Sequence, residues 1–262
     1  MSFWHRIYSD FLLPSRMKEY SLLLNTAITN GYQFLTIPDY FERLQQNKIN
    51  STDKIFIHRH DIDTDPATAR KFFEAEQECG VKTSYYFRKQ NLDIRLFNDV
   101  SEAGHEAGYH YEELSDYCKE KNIHSVEEIK SHYNEIESRF LANLLQIEKK
   151  VGRKITSIAA HGDFVNRKLN LPNYSFITSE IMKKAGLHLE CYNPVLLNSF
   201  GYIGSDIPYP KFYHPHSPFE ALENGVNIIY FLSHPRHWRS NISINLKDNV
   251  QRVIEGRKYQ PK

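Results

Sequence analysis

A chain of 262 residues with 33 Lys and Arg against 32 Asp and Glu lacks the basic excess of a nucleic-acid-binding surface. Its apolar runs are too short to span a bilayer, and Met1-Ser2-Phe3-Trp4-His5-Arg6 lacks the basic-then-apolar order of a secretion signal, so the cytoplasm is the expected compartment. The three cysteines, Cys79, Cys118 and Cys191, are widely spaced and form neither a CxxC pair nor a disulfide framework.

In chain order the pattern alternates strand and helix. Residues 16–30 predict a helix stopped at Gly31, 32–37 a short strand, and 38–45 a helix with Pro38 in its first turn. An apolar strand over 54–59 runs into His60-Asp61-Ile62-Asp63, and Asp65-Pro66 opens a helix over 66–79 that ends at Gly80. Strands follow at 82–88 and 105–111, separated by a helix over 93–103. A long helix spans 126–150, then a strand over 155–160, a helix over 176–185 and strands at 187–192 and 202–205. A short helix over 218–223, an apolar strand over 226–233 and a helical tail from Asn245 complete the series. Repeated βα units imply a parallel sheet, and about seven of them predict an α/β barrel. Residues 1–262 are expected to form one domain, with 1–50 a helix–strand–helix extension packed on the barrel.

Asp61 and Asp63 stand two residues apart at a strand end, so their side chains point the same way. Like charges held close are costly unless a cation shares them, and such a pair suits a divalent metal beside a general base. The plainer alternative is a solvated loop in which Asp65 caps the next helix. Other strand ends carry His110, His161 and His234, and catalytic groups of barrels gather at such ends. One histidine there is more often structural; two aspartates and three histidines at four strand ends point to a metal or acid–base site. Arg59 shares the strand parity of Asp61 and can orient its carboxylate, and Asp206, ending the strand at 202–205, is a weaker orienting candidate. Trp238 either stacks on a sugar or packs. His58-Arg59-His60 is also an HxH, as in amidohydrolase-like metallohydrolases. Parity separates the two: whichever face the aspartates use, His58 and His60 take the other.

Arg59-His60-Asp61-Ile62-Asp63, then Gly104-His105-Glu106-Ala107-Gly108-Tyr109-His110, then Leu232-Ser233-His234 resemble, in order, motifs of the polysaccharide deacetylase (NodB-homology) family, in its divergent RHDxD form. The segment Val81-Lys82-Thr83-Ser84-Tyr85-Tyr86-Phe87 is similar to that family's second strand, and the resemblance runs from Ile55 to Trp238. It implies a distorted (β/α)7-type barrel and a metal-dependent hydrolase of carbon–nitrogen (non-peptide) or ester bonds that removes an N- or O-acetyl group from a sugar. It also implies Asp61 as general base, Asp63 and His110 as metal ligands and His234 as general acid. One position departs: where the family has a second histidine four residues after the first, this chain has Leu114. His161 is the first substitute ligand, Glu112 and Glu113 come next, and Glu106 shares a strand face with His110 but lies deeper. Mixed nitrogen and oxygen ligation favours zinc, then cobalt, manganese or nickel. Leu114 also keeps open a non-catalytic, sugar- or metal-binding barrel. The partner implied is a carbohydrate and, for a cytoplasmic protein, a nucleotide- or lipid-linked acetylated sugar.

Overall fold

In the computed structural model, which describes residues 3–260, nine strands form one sheet. They are β1 (Gln33–Leu35), β2 (Ile55–Ile62), β3 (Ser84–Phe87), β4 (Glu106–Tyr111), β5 (Ser157–Ala160), β6 (Leu189–Glu190), β7 (Tyr202–Asp206), β8 (Tyr213–His214) and β9 (Ile228–Ser233). Seven run parallel in the order β6-β5-β4-β3-β2-β9-β7. β1 adds in parallel beside Ile55, Phe56 and Ile57, and β8 is antiparallel to β7.

Helices cover the outside, so a central strand is buried on both faces: all eight residues of β2 are buried. Ile55 and Ile57 join an inner cluster with Tyr86, Ala159, Leu189 and Tyr230 from other strands. Phe56 and Ile62, of opposite parity, join the cluster beneath the helices. The sheet is strongly curled. Arg59 of β2 lies 5.2 Å from the ring centre of Tyr192, which follows β6 at the far end of the parallel run. The barrel does not close by hydrogen bonds: among the described residues β6 and β7 share no ladder. Tyr192, Leu197, Ile203 and Tyr230 instead line a cavity of about 220 Å³ at that seam.

The outward face of β2 carries His58 and His60, and both are fully buried. Glu76, on the Pro66–Cys79 helix, accepts from His60 Nε2 at 2.7 Å, from the Thr83 hydroxyl at 3.0 Å and from the hydroxyls of Tyr20 and Tyr85. The Ser233 hydroxyl bridges His58 and His60, at 3.2 Å and 2.7 Å. Burial drives His60 down to about 3, so it is neutral at physiological pH. His58, His60 and Glu76 are close enough to hold an ion. Their polar atoms, however, are already hydrogen-bonded to one another and to neighbours, behind the sheet. As placed here, these histidines tie helices to the sheet on the face of β2 opposite Arg59 and Asp61.

Two helical expectations also change. The helix over 126–150 is two, Val126–Ser131 and Tyr133–Val151, broken at His132, whose ring binds the Tyr117 hydroxyl at 3.2 Å and Glu135 at 3.2 Å. A further helix, Glu113–Lys121, buries Leu114, Tyr117 and Cys118, whose spacing was a legible helical signal.

Strands approach closely across the barrel at Gly108 in β4. A Cβ there would lie 2.4 Å from the Tyr86 ring and 2.6 Å from the Ser157 carbonyl oxygen. Gly108→Ala is expected to destabilise the fold by roughly 1–3 kcal/mol. The measurement is urea unfolding, with a lower midpoint at unchanged slope.

Candidate functional site

The C-terminal end of β2 sets the site. Arg59 and Asp61 point into the barrel on the same strand, and the guanidinium grips both carboxylate oxygens, Nε to Oδ1 and Nη2 to Oδ2, each at 2.7 Å. The Tyr230 hydroxyl accepts from Arg59 at 3.2 Å. Past Asp63 the chain turns through Asp65, which adopts φ 56° and caps the Pro66–Cys79 helix by accepting from the Thr68 amide at 3.2 Å. The capping expectation for Asp65 thus holds together with, not instead of, a clustered site.

Three side chains from β2, β4 and β5 converge. His110 Nδ1–H donates to the Ala159 carbonyl at 2.9 Å, so a neutral ring presents its Nε2 lone pair. That Nε2 lies 3.1 Å from Asp63 Oδ1 and 3.4 Å from Asp61 Oδ2. His161 Nε2 lies 3.6 Å from the same Asp63 oxygen, and its Nδ1 is 3.1 Å from Glu112. Asp63 Oδ1 is buried and makes no hydrogen bond. Two imidazole nitrogens around an orphaned carboxylate oxygen form a donor set that fits a divalent cation, with Asp63, His110 and His161 as the residues to hold it. Burial alone would raise the Asp63 carboxyl, but with no cation bound the His161 and His110 imidazoles, in their protonated forms, outweigh it and hold it well below the usual range. Glu112 is bound by Arg88 through two nitrogens, Nε at 3.0 Å. It therefore stands behind His161, not beside the orphaned oxygen.

Across the cleft, Asp206 gathers four donors: the His234 amide and Nδ1 at 2.7 Å each, His237 Nδ1 at 3.0 Å and the Trp238 indole at 2.7 Å. Burial alone would lower His234, but Asp206 first, then Asp63 and Asp61, outweigh it and raise His234 to about 9. The cleft has two lobes that meet at Asp63. One, of about 310 Å³, is lined by His234 and His237; the other, of about 330 Å³, by Arg88 and His161. Arg6 and Arg252 border both lobes.

Several sequence candidates are not brought here. Leu114 is fully buried in the outer core. Glu113 accepts from Tyr109 and Asn143, and Glu106 from Ser157 deep in the barrel. Trp238 is fully buried against Tyr20 and Phe72, with the Arg16 guanidinium over its ring, so no face is open to a sugar; its stacking role is corrected to holding Asp206. Sequence reasoning missed Arg88 and His237 and ranked Glu112 only as a ligand. Arg88 and Glu112 each directly follow a strand, so the strand-end rule could have found them.

No family model and no curated protein matches the chain. Solved structures do. IcaB from Ammonifex degensii is 14% identical at a TM-score of 0.48, covering 69% of this chain and 79% of that one. The Streptococcus pyogenes deacetylase PplD is 11% identical at 0.43, covering 64% and 73%. BA3943 from Bacillus anthracis, a CE4 family pseudoenzyme, is 11% identical at 0.41, covering 80% and 63%.

Two predictions follow from the geometry. Asp206→Asn should bring the His234 titration in the metal-free protein down by roughly 1–3 units, measured by NMR. Because the folded value is raised, stability from this ion pair is complete below the unfolded value of about 6.5 and is lost as pH rises through about 9. Leu114→His should lower stability by roughly 2–5 kcal/mol without raising metal affinity, since the position faces core. Urea unfolding and metal titration of the same sample check it.

Proposed function

We propose that this protein is a metal-dependent hydrolase that removes an acetyl group from a sugar, through an amide or ester bond. One observation carries the reading: the unpartnered Asp63 Oδ1 faces His110 Nε2 and His161 Nε2, beside the Arg59-clamped Asp61. A divalent cation held by Asp63, His110 and His161, zinc by its mixed ligation, would supply a Lewis acid for the carbonyl and lower the pKa of water. Asp61 is fixed by Arg59 with one oxygen toward His110, and it takes the proton of the attacking water. His234, charged at neutral pH and oriented by Asp206, gives a proton to the leaving amine or alcohol. The polar lobes on either side of Asp63 suit a hydroxyl-rich substrate.

The test is metal analysis of purified protein followed by acetate release from N- and O-acetylated sugars, free, nucleotide-linked and lipid-linked. Asp63→Ala, His110→Ala and His161→Ala should each weaken metal binding by at least roughly tenfold. Asp61→Asn should keep the metal and lose roughly 10²–10⁴ in rate. Absence of metal after reconstitution would overturn the hydrolase reading. Leu114, buried where the resemblance expects a ligand, favours a second reading: a barrel that binds metal and sugar without turnover. Stoichiometric metal with no acetate released from any of these substrates would select it.

A further inference from the structure

The last helix, Ile242–Lys258, is inverted. Four of its polar residues face the protein. Asn245 donates to the Asp10 carbonyl at 2.7 Å, Asn249 to the Asp10 carboxylate at 2.9 Å, Asp248 pairs with Arg236, and Glu255 with Lys119 at 3.2 Å. Its apolar residues face out: Ile242, Leu246, Val250, Val253 and Ile254 are 47–60% exposed. At 100° per residue these five fall on one stripe, the geometry of a helix with an unpartnered apolar face. The N-terminal Phe3–Ile7 helix extends the surface. Arg6 donates to Asn249 at 3.1 Å, and Phe3 and Trp4 are 72% and 74% exposed.

We propose that this face docks on an anionic lipid surface, with the Ile242–Lys258 helix lying in the plane of the interface. Three observations select that occupant. The unpaired charges of this side are one-signed: Lys247 and Lys258 flank the stripe and Arg257 closes its C-terminal end, all three exposed and without an ion pair among the described residues, while the helix's acids, Asp248 and Glu255, are turned inward and paired. Apolar stripe, cationic flank and an exposed Trp and Phe are the features of an interfacial helix, and no helix among the described residues is long and apolar enough to cross a membrane. A second copy would instead set these cations against their own kind, with no exposed acid on the helix to meet them. The same helix, by its opposite face, supplies Asp248, Gln251, Arg252 and Glu255 to the lobe that holds Asp63 and His161, so the docked element and the cleft are adjacent. The docking stands on this surface alone. Joined to the hydrolase reading, it makes the substrate a sugar anchored in lipid.

Sedimentation with vesicles tests it, using phosphatidylcholine alone and phosphatidylcholine mixed with phosphatidylglycerol. Binding to the mixed vesicles is expected, weakened by high salt and at least roughly tenfold weaker in Leu246→Glu/Val250→Glu. Lys247→Glu/Arg257→Glu should lose the preference for anionic vesicles. Trp4 fluorescence should shift to the blue on binding, and Trp4→Phe should abolish the shift, because Trp238 is already buried. These positions are exposed, and an unchanged near-ultraviolet circular dichroism spectrum shows that the variants fold. No sedimentation with anionic vesicles, or equal sedimentation with neutral ones, would overturn the proposal. So would self-association that the same glutamate variants remove. No readout uses hydrolysis, so the docking and the hydrolase reading can fail separately.

Discussion

Two carboxylates crowded at the end of one buried strand are the constraint around which the site is built. Asp61 and Asp63 cannot both stay ionised in a barrel mouth without positive charge nearby. The chain answers each differently. Asp61 receives Arg59 from its own strand, two residues back, as a bidentate clamp that takes one lone pair of each oxygen. Asp63 receives imidazoles from two other strands and keeps one oxygen without a hydrogen bond. The first arrangement is closed by a side chain; the second is open to a cation. That difference separates two chemically identical residues into a proton acceptor and a ligand in the proposed reaction.

The division depends on β2 being central. A strand covered on both faces has to find partners for polar residues of both parities. Inward, Arg59 and Asp61 satisfy each other. Outward, His58 and His60 are absorbed by Glu76, Tyr20 and Ser233 into a hydrogen-bonded cluster beneath the Met17–Thr29 and Pro66–Cys79 helices. Both sets hold the strand in one register, because a slip by one residue would put the arginine and aspartate under the helices and the histidines in the cleft.

Much of this was legible in the sequence. Strand alternation alone placed Asp61 opposite in sense to His60, and strand ends alone brought His110, His161 and His234 into consideration. What could not be read is which neighbours satisfy a buried group. Trp238 looked like a stacking surface because its segment is aromatic and polar, yet the indole N–H is taken by Asp206, a residue on another strand. Glu112 looked like a ligand because it is near His110 in sequence, yet Arg88, from the preceding strand end, draws it behind His161. The break at His132 likewise depends on Tyr117, on a different helix. Periodicity reports a face; partner choice is set by tertiary contacts.

In the proposed site, Leu114 would show how a site can keep its donor count while changing the route by which one donor arrives. A ligand four residues after His110 would come from the Glu113–Lys121 helix and would require that helix to aim a polar face at the cleft. Here the same face carries Leu114, Tyr117 and Cys118 into the outer core. The parallel pairing of β4 with β5 offers another route. His110 stands opposite Ala159 and Tyr111 opposite Ala160, and the His161 amide continues the ladder by donating to the Tyr111 carbonyl at 2.8 Å. That register alone carries His161 to the same rim as His110, with ring centres 5.2 Å apart. Glu112, held by Arg88, faces the outer nitrogen of the ring and fixes its orientation. The exchange frees the helix to pack apolar residues and ties the position of His161 to the sheet itself.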